Sequence, residues 1–227
     1  MVNIDLNADL GEEVTDDAAL LAVVTSANVA CGYHAGTPAI MRAVCEEAVR
    51  RGVAIGAQVS YADRENFGRV ARDVDHDVLR EQVADQVGVL SEIAAAAGTS
   101  VRYLKPHGAL YHRVIDDERQ AAAVLSGSGS LPVLGMEGAL LAQARAVGRA
   151  VFHEGFPDRG DGADGRLLPR SETGALVEDE DAIVAQALEL ASRVDSVCLH
   201  GDSPGAVRHA VAVRRALEAA GYLVHSF

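Results

Sequence analysis

Short runs with strand character recur along this chain, and most are followed by a helix or a helical turn. The strand-like runs are Val2–Leu10, Val24–Ala30, Val53–Val59, Val101–Leu104, Leu131–Leu134, Ala150–Phe156, Ser196–Leu199 and Tyr222–Phe227. Between them, helical spacing of apolar residues or helix-start signals mark Ala18–Val23, a helix from Pro38 to about Arg51, Asp75–Ala97, Glu118–Leu125, Ala139–Val147, Glu178–Arg193 and Ala206–Ala220. Strand–helix alternation sustained through one chain predicts a parallel sheet covered by helices. Polar and charged residues gather where the strands end, and the loops that precede the strands are ordinary. That asymmetry predicts an α/β fold of the (β/α) barrel type with its site on the C-terminal face. The alternative, an open doubly wound sheet, would normally carry a glycine-rich first turn, and no G-x-G-x-x-G follows the first strand. With 227 residues, 49% of them hydrophobic, the chain can build one sizeable core. We therefore expect a single barrel domain over 1–227.

The stretch Val101–Tyr111 sets the expectation for a site. Val101–Leu104 reads as a buried strand, and Lys105 and His107 sit where it stops. Pro106 fixes the backbone between them, and Gly108 allows a tight exit into the next helix. A cation and a titratable imidazole at one rim of a sheet are poor core material. The plainer alternative is that Lys105 snorkels to water and His107 caps the following helix. The first strand repeats the theme: Val2, Ile4, Leu6, Ala8 and Leu10 alternate with Asn3, Asp5, Asn7 and Asp9. On a strand lining a barrel, Asp5, Asn7 and Asp9 would project inwards, where carboxylates are costly unless they bind or pair with something.

Other strand ends are similar. Ser26–Gly36 carries Asn28 and places His34 between Gly32 and Gly36, and Thr37-Pro38 then starts a helix as N-cap and first-turn proline. A long polar loop, Ser60–Arg69, contains Asp63 and Arg64, which in isolation read as a solvated ion pair. Glu154, Asp158 and Arg159 end the strand from Ala150. Asp161–Gly165 reads as a flexible turn, and Arg170 closes a basic segment at the same rim. His200-Gly201-Asp202 ends the strand from Ser196. Ser126–Ser130 is a glycine–serine loop; it has neither the lysine nor the following helix of a phosphate-binding loop.

Several classes are excluded. A formal charge of −13 argues against a nucleic-acid surface, and an anionic substrate would have to meet a locally basic site. No apolar run approaches the roughly 18 residues of a membrane span, and the first residues lack a signal peptide's basic and apolar regions. Cys31, Cys45 and Cys198 are odd in number and lack C-x-x-C spacing, so we expect a reducing cytoplasm without disulfides. Cys31 reads as a small buried residue.

Five segments together resemble the LamB/YcsF family: Asp5–Glu12, Ser26–Gly36, Lys105–Tyr111, Glu154–Arg159 and His200–Val207. They occur in order from the first strand to the last helix. The resemblance implies a distorted TIM-like barrel of the glycoside hydrolase/deacetylase type. It further implies the role of the A component of bacterial ATP-dependent 5-oxoprolinase, which opens 5-oxo-L-proline to L-glutamate as ATP is cleaved. ATP would enter as a co-substrate with Mg2+ held through the nucleotide, and the B and C components of that enzyme would be partners. No metal bound by this chain itself is called for. The family's motif residues carry over as Asp9, Glu12, Asn28, His34, Asp63, Arg64, Lys105, His107, Glu154, Asp158, Arg159, Arg170, His200 and Asp202. One departure stands out: where the family usually reads Gly-Ala-His-Pro-Ser-Tyr-Pro-Asp-Arg, this chain has Gln58 in place of the histidine. Glutamine can hydrogen-bond but cannot shuttle a proton at neutral pH. The segments after Glu12 and before Ser196 also look shorter than the family's.

An unstrained lactam resists water, and phosphorylation of its carbonyl oxygen is the reason to involve ATP. The expected catalytic set is Asp9, Glu12, Lys105, His107, His200 and Asp202. His107 or His200 would act as general acid or base, oriented by Asp202 or Asp9, and Glu12 or Asp9 would position water. The expected substrate-binding set is Asn7, Asn28, His34, Asp63, Arg64, Glu154, Asp158, Arg159 and Arg170. Lys105 and the arginines among these would hold the substrate carboxylate and the phosphoryl charge. Lys105→Ala is expected to abolish turnover with the fold intact. Two other readings remain: a metal-dependent carbohydrate deacetylase using Asp9 and His34 with Gln58 as a weak third ligand, and a non-catalytic scaffold for the B and C components.

Overall fold

In the computed structural model, which describes residues 2–162, 165–202 and 205–227, the strands close into a parallel barrel. The strands are β1 (Asn3–Leu10), β2 (Ser26–Ala30), β3 (Ala54–Val59), β4 (Val101–Pro106), β5 (Val133–Gly135), β6 (Val151–Gly155), β7 (Ser196–Leu199) and β8 (Leu223–Val224). Seven strands follow one another in sequence order, and β1 pairs with both β2 and β7 to shut the ring; β8 adds to β1 at its start. The alternation in β1 explains its place. Ile4, Leu6, Ala8 and Leu10 belong to the main apolar core, while Asp5, Asn7 and Asp9 are buried in the polar interior. Register sets Asp9 beside Asn28 of β2 and Asn7 beside Cys198 of β7.

The helices are α1 (Asp17–Leu21), α2 (Pro38–Arg51), α3 (His76–Ala96), α4 (Gly108–Asp116), α5 (Glu118–Gly127), α6 (Ala139–Ala146), α7 (Glu180–Leu190) and α8 (Ala206–Ala219). Their starts follow capping chemistry. The side chains of Asp16, Thr37, Asp75, Asp117 and Asp179 each accept a backbone N–H of the first turn, which satisfies donors that a helix leaves open.

Of the boundaries that differ from the sequence reading, three have a tertiary reason. The Ser126–Ser130 loop starts later than expected because α5 continues through Gly127. A Cβ there would stand 2.4 Å from the Arg80 carbonyl oxygen and 2.9 Å from Val83 Cβ on α3, so the glycine permits close helix packing. The closing strand is two residues instead of Tyr222–Phe227. Its continuation turns under the barrel, where the Phe227 ring stacks on Phe152 at 3.9 Å and meets Tyr103 edge-on at 5.1 Å. The second strand begins at Ser26 instead of Val24, because Thr25 turns its hydroxyl onto the Leu6 carbonyl and Asp5. Of the turn expected at Asp161–Gly165, residues 163 and 164 lie outside the described residues, as do Ser203 and Pro204 of the His200 motif.

Candidate functional site

The barrel interior is polar along much of its length, unlike the branched aliphatic layers usual in such barrels. At the bottom, Asp5 accepts from Thr25 Oγ1 and Ser26 Oγ, both at 2.7 Å, and from Ser196 Oγ. Burial pushes its pKa up against these three donors. One layer higher, Asn7 Nδ2 donates to Ser196 Oγ at 2.6 Å. Asn28 Nδ2 donates to Asn7 Oδ1 at 2.7 Å and Asp9 Oδ1 at 2.9 Å, and its Oδ1 accepts from Tyr103 Oη at 2.6 Å. These bonds consume much of the polar capacity of Asn7 and Asn28, and they aim Asp9.

Asp9 faces Lys105. The ammonium lies 3.2 Å from Asp9 Oδ1, 2.9 Å from Glu154 Oε2 and 3.1 Å from Cys198 Sγ, in a position 2% exposed. Lys105 does not snorkel. Burial works against its charge, but Asp9 foremost, together with Glu154, holds its pKa well above the ordinary lysine value. Burial also opposes the Asp9 charge, and Lys105 foremost, together with His107 and His200, outweighs it, so the carboxyl sits well below its usual range. Burial pushes the Cys198 thiol up, which makes it a neutral neighbour of the ammonium.

Beside this ion pair is a second cluster, built from the ends of β1, β2, β3 and β4. Glu12 Oε1 lies 3.6 Å from His34 Nε2 and 3.5 Å from His107 Nδ1. Gln58 Nε2 stands 2.9 Å from both Glu12 Oε1 and His107 Nδ1. His107 Nε2 donates to the Phe67 carbonyl at 3.2 Å, which leaves Nδ1 to accept from Gln58. The two imidazoles stack at 4.0 Å. Both ring nitrogens of His34 and Oε1 of Gln58 are buried without a hydrogen bond. Burial, then the negative charge of Asp9, raises the Glu12 pKa to about 7; burial lowers His34 to about 4. Burial and then His34 also lower His107.

A cavity of about 260 Å³ opens above Lys105 at the carboxyl ends of the strands. Asp9, Lys105 and His107 reach its floor, and Arg69, His112, Phe156, Arg159, Arg170 and His200 line its walls. His200 stacks on Phe156 at 5.1 Å, and its Nδ1 lies 3.0 Å from Asp158 Oδ1. The His200 backbone N–H also donates to Asp158 Oδ2 at 2.9 Å. Burial opposes the Asp158 charge, and His200 more than compensates, so its pKa falls below the usual value. The residue that orients His200 is therefore Asp158 and not Asp202. Asp202 instead accepts from Arg69 and from Arg170, the latter at 3.3 Å.

Of the expected substrate-binding residues, Arg159 and Arg170 line the cavity, and Glu154 lies beneath it on Lys105. Arg159 also donates to the carbonyls of Ala175 at 2.9 Å and Leu168 at 2.6 Å, which holds the basic segment in place. Asp63 and Arg64 do not pair with each other, contrary to the sequence reading, and neither lines the cavity. Asp63 accepts from Arg72 and Asn66 at 2.6 and 2.7 Å and from Val70 N at 3.2 Å, which organises the loop. Arg64 donates to the carbonyls of Gly32 and Gly36 and to Glu13, pinning the loop that carries His34. Between them Phe67, with φ 57°, edges onto both His34 and His107 and lies under Arg69 at 4.8 Å. Arg69 and His112 line the site without having been expected there. Their only sequence signals are position, at the end of the long loop and one turn into α4.

The LamB/YcsF family profile matches residues 4–227. The chain belongs to the LamB/YcsF family. Among the relatives of this LamB/YcsF chain, a protein of Streptomyces coelicolor named as the A component of 5-oxoprolinase is 52% identical over 248 aligned residues, covering 99% of each chain. A second of that name, from Mycolicibacterium gilvum, is 47% identical with full coverage of both. Both alignments are longer than this chain, in keeping with segments shorter here than in its relatives. Among solved structures, the lactam utilization protein of Thermus thermophilus superposes with a TM-score of 0.92 at 32% identity over the whole of both chains. A family 4 carbohydrate esterase from Streptomyces lividans shares the fold, with a TM-score of 0.52 at 12% identity over 98% of this chain and 91% of that one.

Proposed function

We propose that this LamB/YcsF chain is the A component of an ATP-dependent 5-oxoprolinase. In this reading it opens 5-oxo-L-proline to L-glutamate in the cytoplasm, together with B and C components, as ATP carried with Mg2+ is cleaved. The observation that carries the reading is identity near 50% along the entire chain to proteins named as the A component of 5-oxoprolinase. The cavity supports it. Its volume is below the roughly 300–1,000 Å³ of drug-sized pockets, and its walls bring three arginines to one small ligand.

The chemistry follows from what a lactam needs. ATP phosphorylates the lactam oxygen and leaves as ADP, which makes the ring carbon electrophilic. Water adds to that carbon, the ring nitrogen leaves and takes up a proton, and a second water hydrolyses the acyl phosphate that results. His200, with Nδ1 held by Asp158, presents its other nitrogen to the cavity and is the proton donor to the ring nitrogen. His107 is not that donor, because both of its nitrogens are engaged in the wall. Arg69, Arg159 and Arg170 receive the substrate carboxylate and the phosphoryl charge, displacing Asp202 from two of them. Lys105, paired with Asp9 and Glu154, supplies fixed positive charge beneath the reacting carbon.

The test is glutamate release from 5-oxoproline and ATP by this chain mixed with candidate B and C proteins, each omitted in turn. Turnover that depends on this chain is the expected result. Complex formation without turnover would overturn the catalytic reading and leave a scaffold.

A further inference from the structure

The cluster of Glu12, His34, Gln58 and His107 has no task in the proposed reaction, yet it collects donors in an unusual way. Oxygen or nitrogen donors from Glu12, His34 and His107 all lie within 4.8 Å of one another, and all three residues are buried. Two of the separations, 3.6 and 3.5 Å, are close to the edge of about 3.4 Å expected between ligands 2.0–2.1 Å from a tetrahedral ion. His34 is 1% exposed, and neither of its ring nitrogens has a hydrogen bond. A buried imidazole with both nitrogens unsatisfied is costly, and a cation at Nε2 would remove half of that cost. His107 is already set as a ligand: its Nε2–H is spent on the Phe67 carbonyl, so Nδ1 keeps a lone pair towards the cluster.

Gln58 tells the same story. Its amide nitrogen lies on the two donors that a cation would join, Glu12 Oε1 and His107 Nδ1, both at 2.9 Å. The NH2 group thus supplies the positive pole of this cluster. Its Oε1 is buried and unpartnered. A half-turn of the amide would bring Oε1 to those same donors, where only a cation could be shared among them. Asp9 Oδ2, 3.9 Å from His107 Nδ1, adds negative charge at the edge of the site.

We propose that Glu12, His34 and His107 form a buried site for one divalent transition-metal ion, with the Gln58 amide oxygen turning in as a fourth donor. Two imidazoles and one carboxylate suit zinc, cobalt or manganese better than magnesium, which prefers oxygen. The site lies behind the cavity wall. Only His107 of the three borders the cavity, so the ion would fix that imidazole from behind. The inference stands apart from the 5-oxoprolinase reading, because it concerns binding and not turnover.

The experiment uses the full chain stripped with a chelator and then titrated with Zn2+ by calorimetry. Co2+ serves as a second probe, since its visible absorption reports four-coordinate geometry. We expect one equivalent of each ion. Glu12→Gln and His34→Asn should each weaken binding a hundredfold or more, and Gln58→His should tighten it about tenfold. Thermal melts verify that each variant is folded. Because Gln58→His tests the site by gain, the proposal stays falsifiable if the loss variants unfold. A crystal with Zn2+ must show its anomalous peak among these residues. Absence of stoichiometric binding by the folded wild-type chain, or a peak elsewhere, or a water molecule alone on His34 Nε2, would overturn the proposal.

Discussion

Removing the Lys105 ammonium would leave Asp9 and Glu154 facing each other where little water reaches. Losing one partner of a buried ion pair costs about 3–5 kcal/mol, because the remaining charge is uncompensated. Lys105→Ala is therefore expected to lose stability as well as turnover, unlike the intact fold that strand-end reasoning predicted. Urea denaturation checks this, and Glu154→Gln added to Lys105→Ala should restore part of the loss. Glu12 makes a pH prediction of the opposite kind. Its folded pKa, about 7, lies above the ordinary 4.5. A carboxyl raised in this way costs stability once pH exceeds its unfolded value, and the cost grows until pH passes 7. In chelator, Glu12 should cost the wild-type chain stability relative to Glu12→Gln as pH rises from 4.5 to 7. His34 and His107, held neutral by burial, push both chains the other way, so the difference between the two chains carries the slope. The variant would match wild type near pH 4 and exceed it at pH 8 by on the order of 3 kcal/mol. Equal urea midpoints at pH 8 would refute it. If His200 is the proton donor proposed above, its replacement by Gln should lower kcat by about 10²–10⁴ in the assembled enzyme, with KM much less affected.

At the scale of elements, α3 and α5 show where local propensity misleads. Gly127→Ala should favour helix by about 1 kcal/mol on propensity alone. The new Cβ, however, would meet the Arg80 carbonyl at 2.4 Å, and overpacking of this kind typically costs about 1–3 kcal/mol. We expect a net fall in melting temperature, and a rise would show that the two helices can separate freely. The same contrast explains how much of the molecule was legible beforehand. Period two in β1 placed Asp5, Asn7 and Asp9 inside because a closed sheet has only two faces and helices cover one. The strand-end positions of Lys105 and His200 were legible for the same reason. Pairings were not. Asp158 meets His200 across 42 residues, and Asp202 meets Arg69 across 133, so neither leaves a local pattern. Asp63 and Arg64 are adjacent in sequence, but the 3-10 turn that Arg64 begins points them to different partners. Gly127 looked like loop because a glycine demanded by a neighbouring helix is indistinguishable, in sequence, from one demanded by a turn.

At the scale of the whole molecule, the charge distribution opposes the site it contains. The chain carries −13, whereas the cavity walls present Arg69, Arg159 and Arg170. An anionic substrate is repelled at long range and attracted only on arrival. The two effects respond differently to salt. The Debye length falls from about 30 Å at 0.01 M to about 8 Å at 0.15 M, which removes most of the long-range repulsion but screens contacts within the cavity far less. Enzymes whose net field steers substrate lose kcat/KM steeply over this range. On the proposed 5-oxoprolinase function, kcat/KM for 5-oxoproline in the assembled complex should stay level or rise as salt increases from about 10 to about 150 mM. Arg170→Gln should lower it at every salt concentration, because that variant removes the local contact and leaves the global field nearly unchanged. A steep fall with salt in the wild type would mean that the partner proteins reverse the field at the cavity mouth. In that case the same titration on a surface variant of the partner, with its basic residues removed, should recover the flat response.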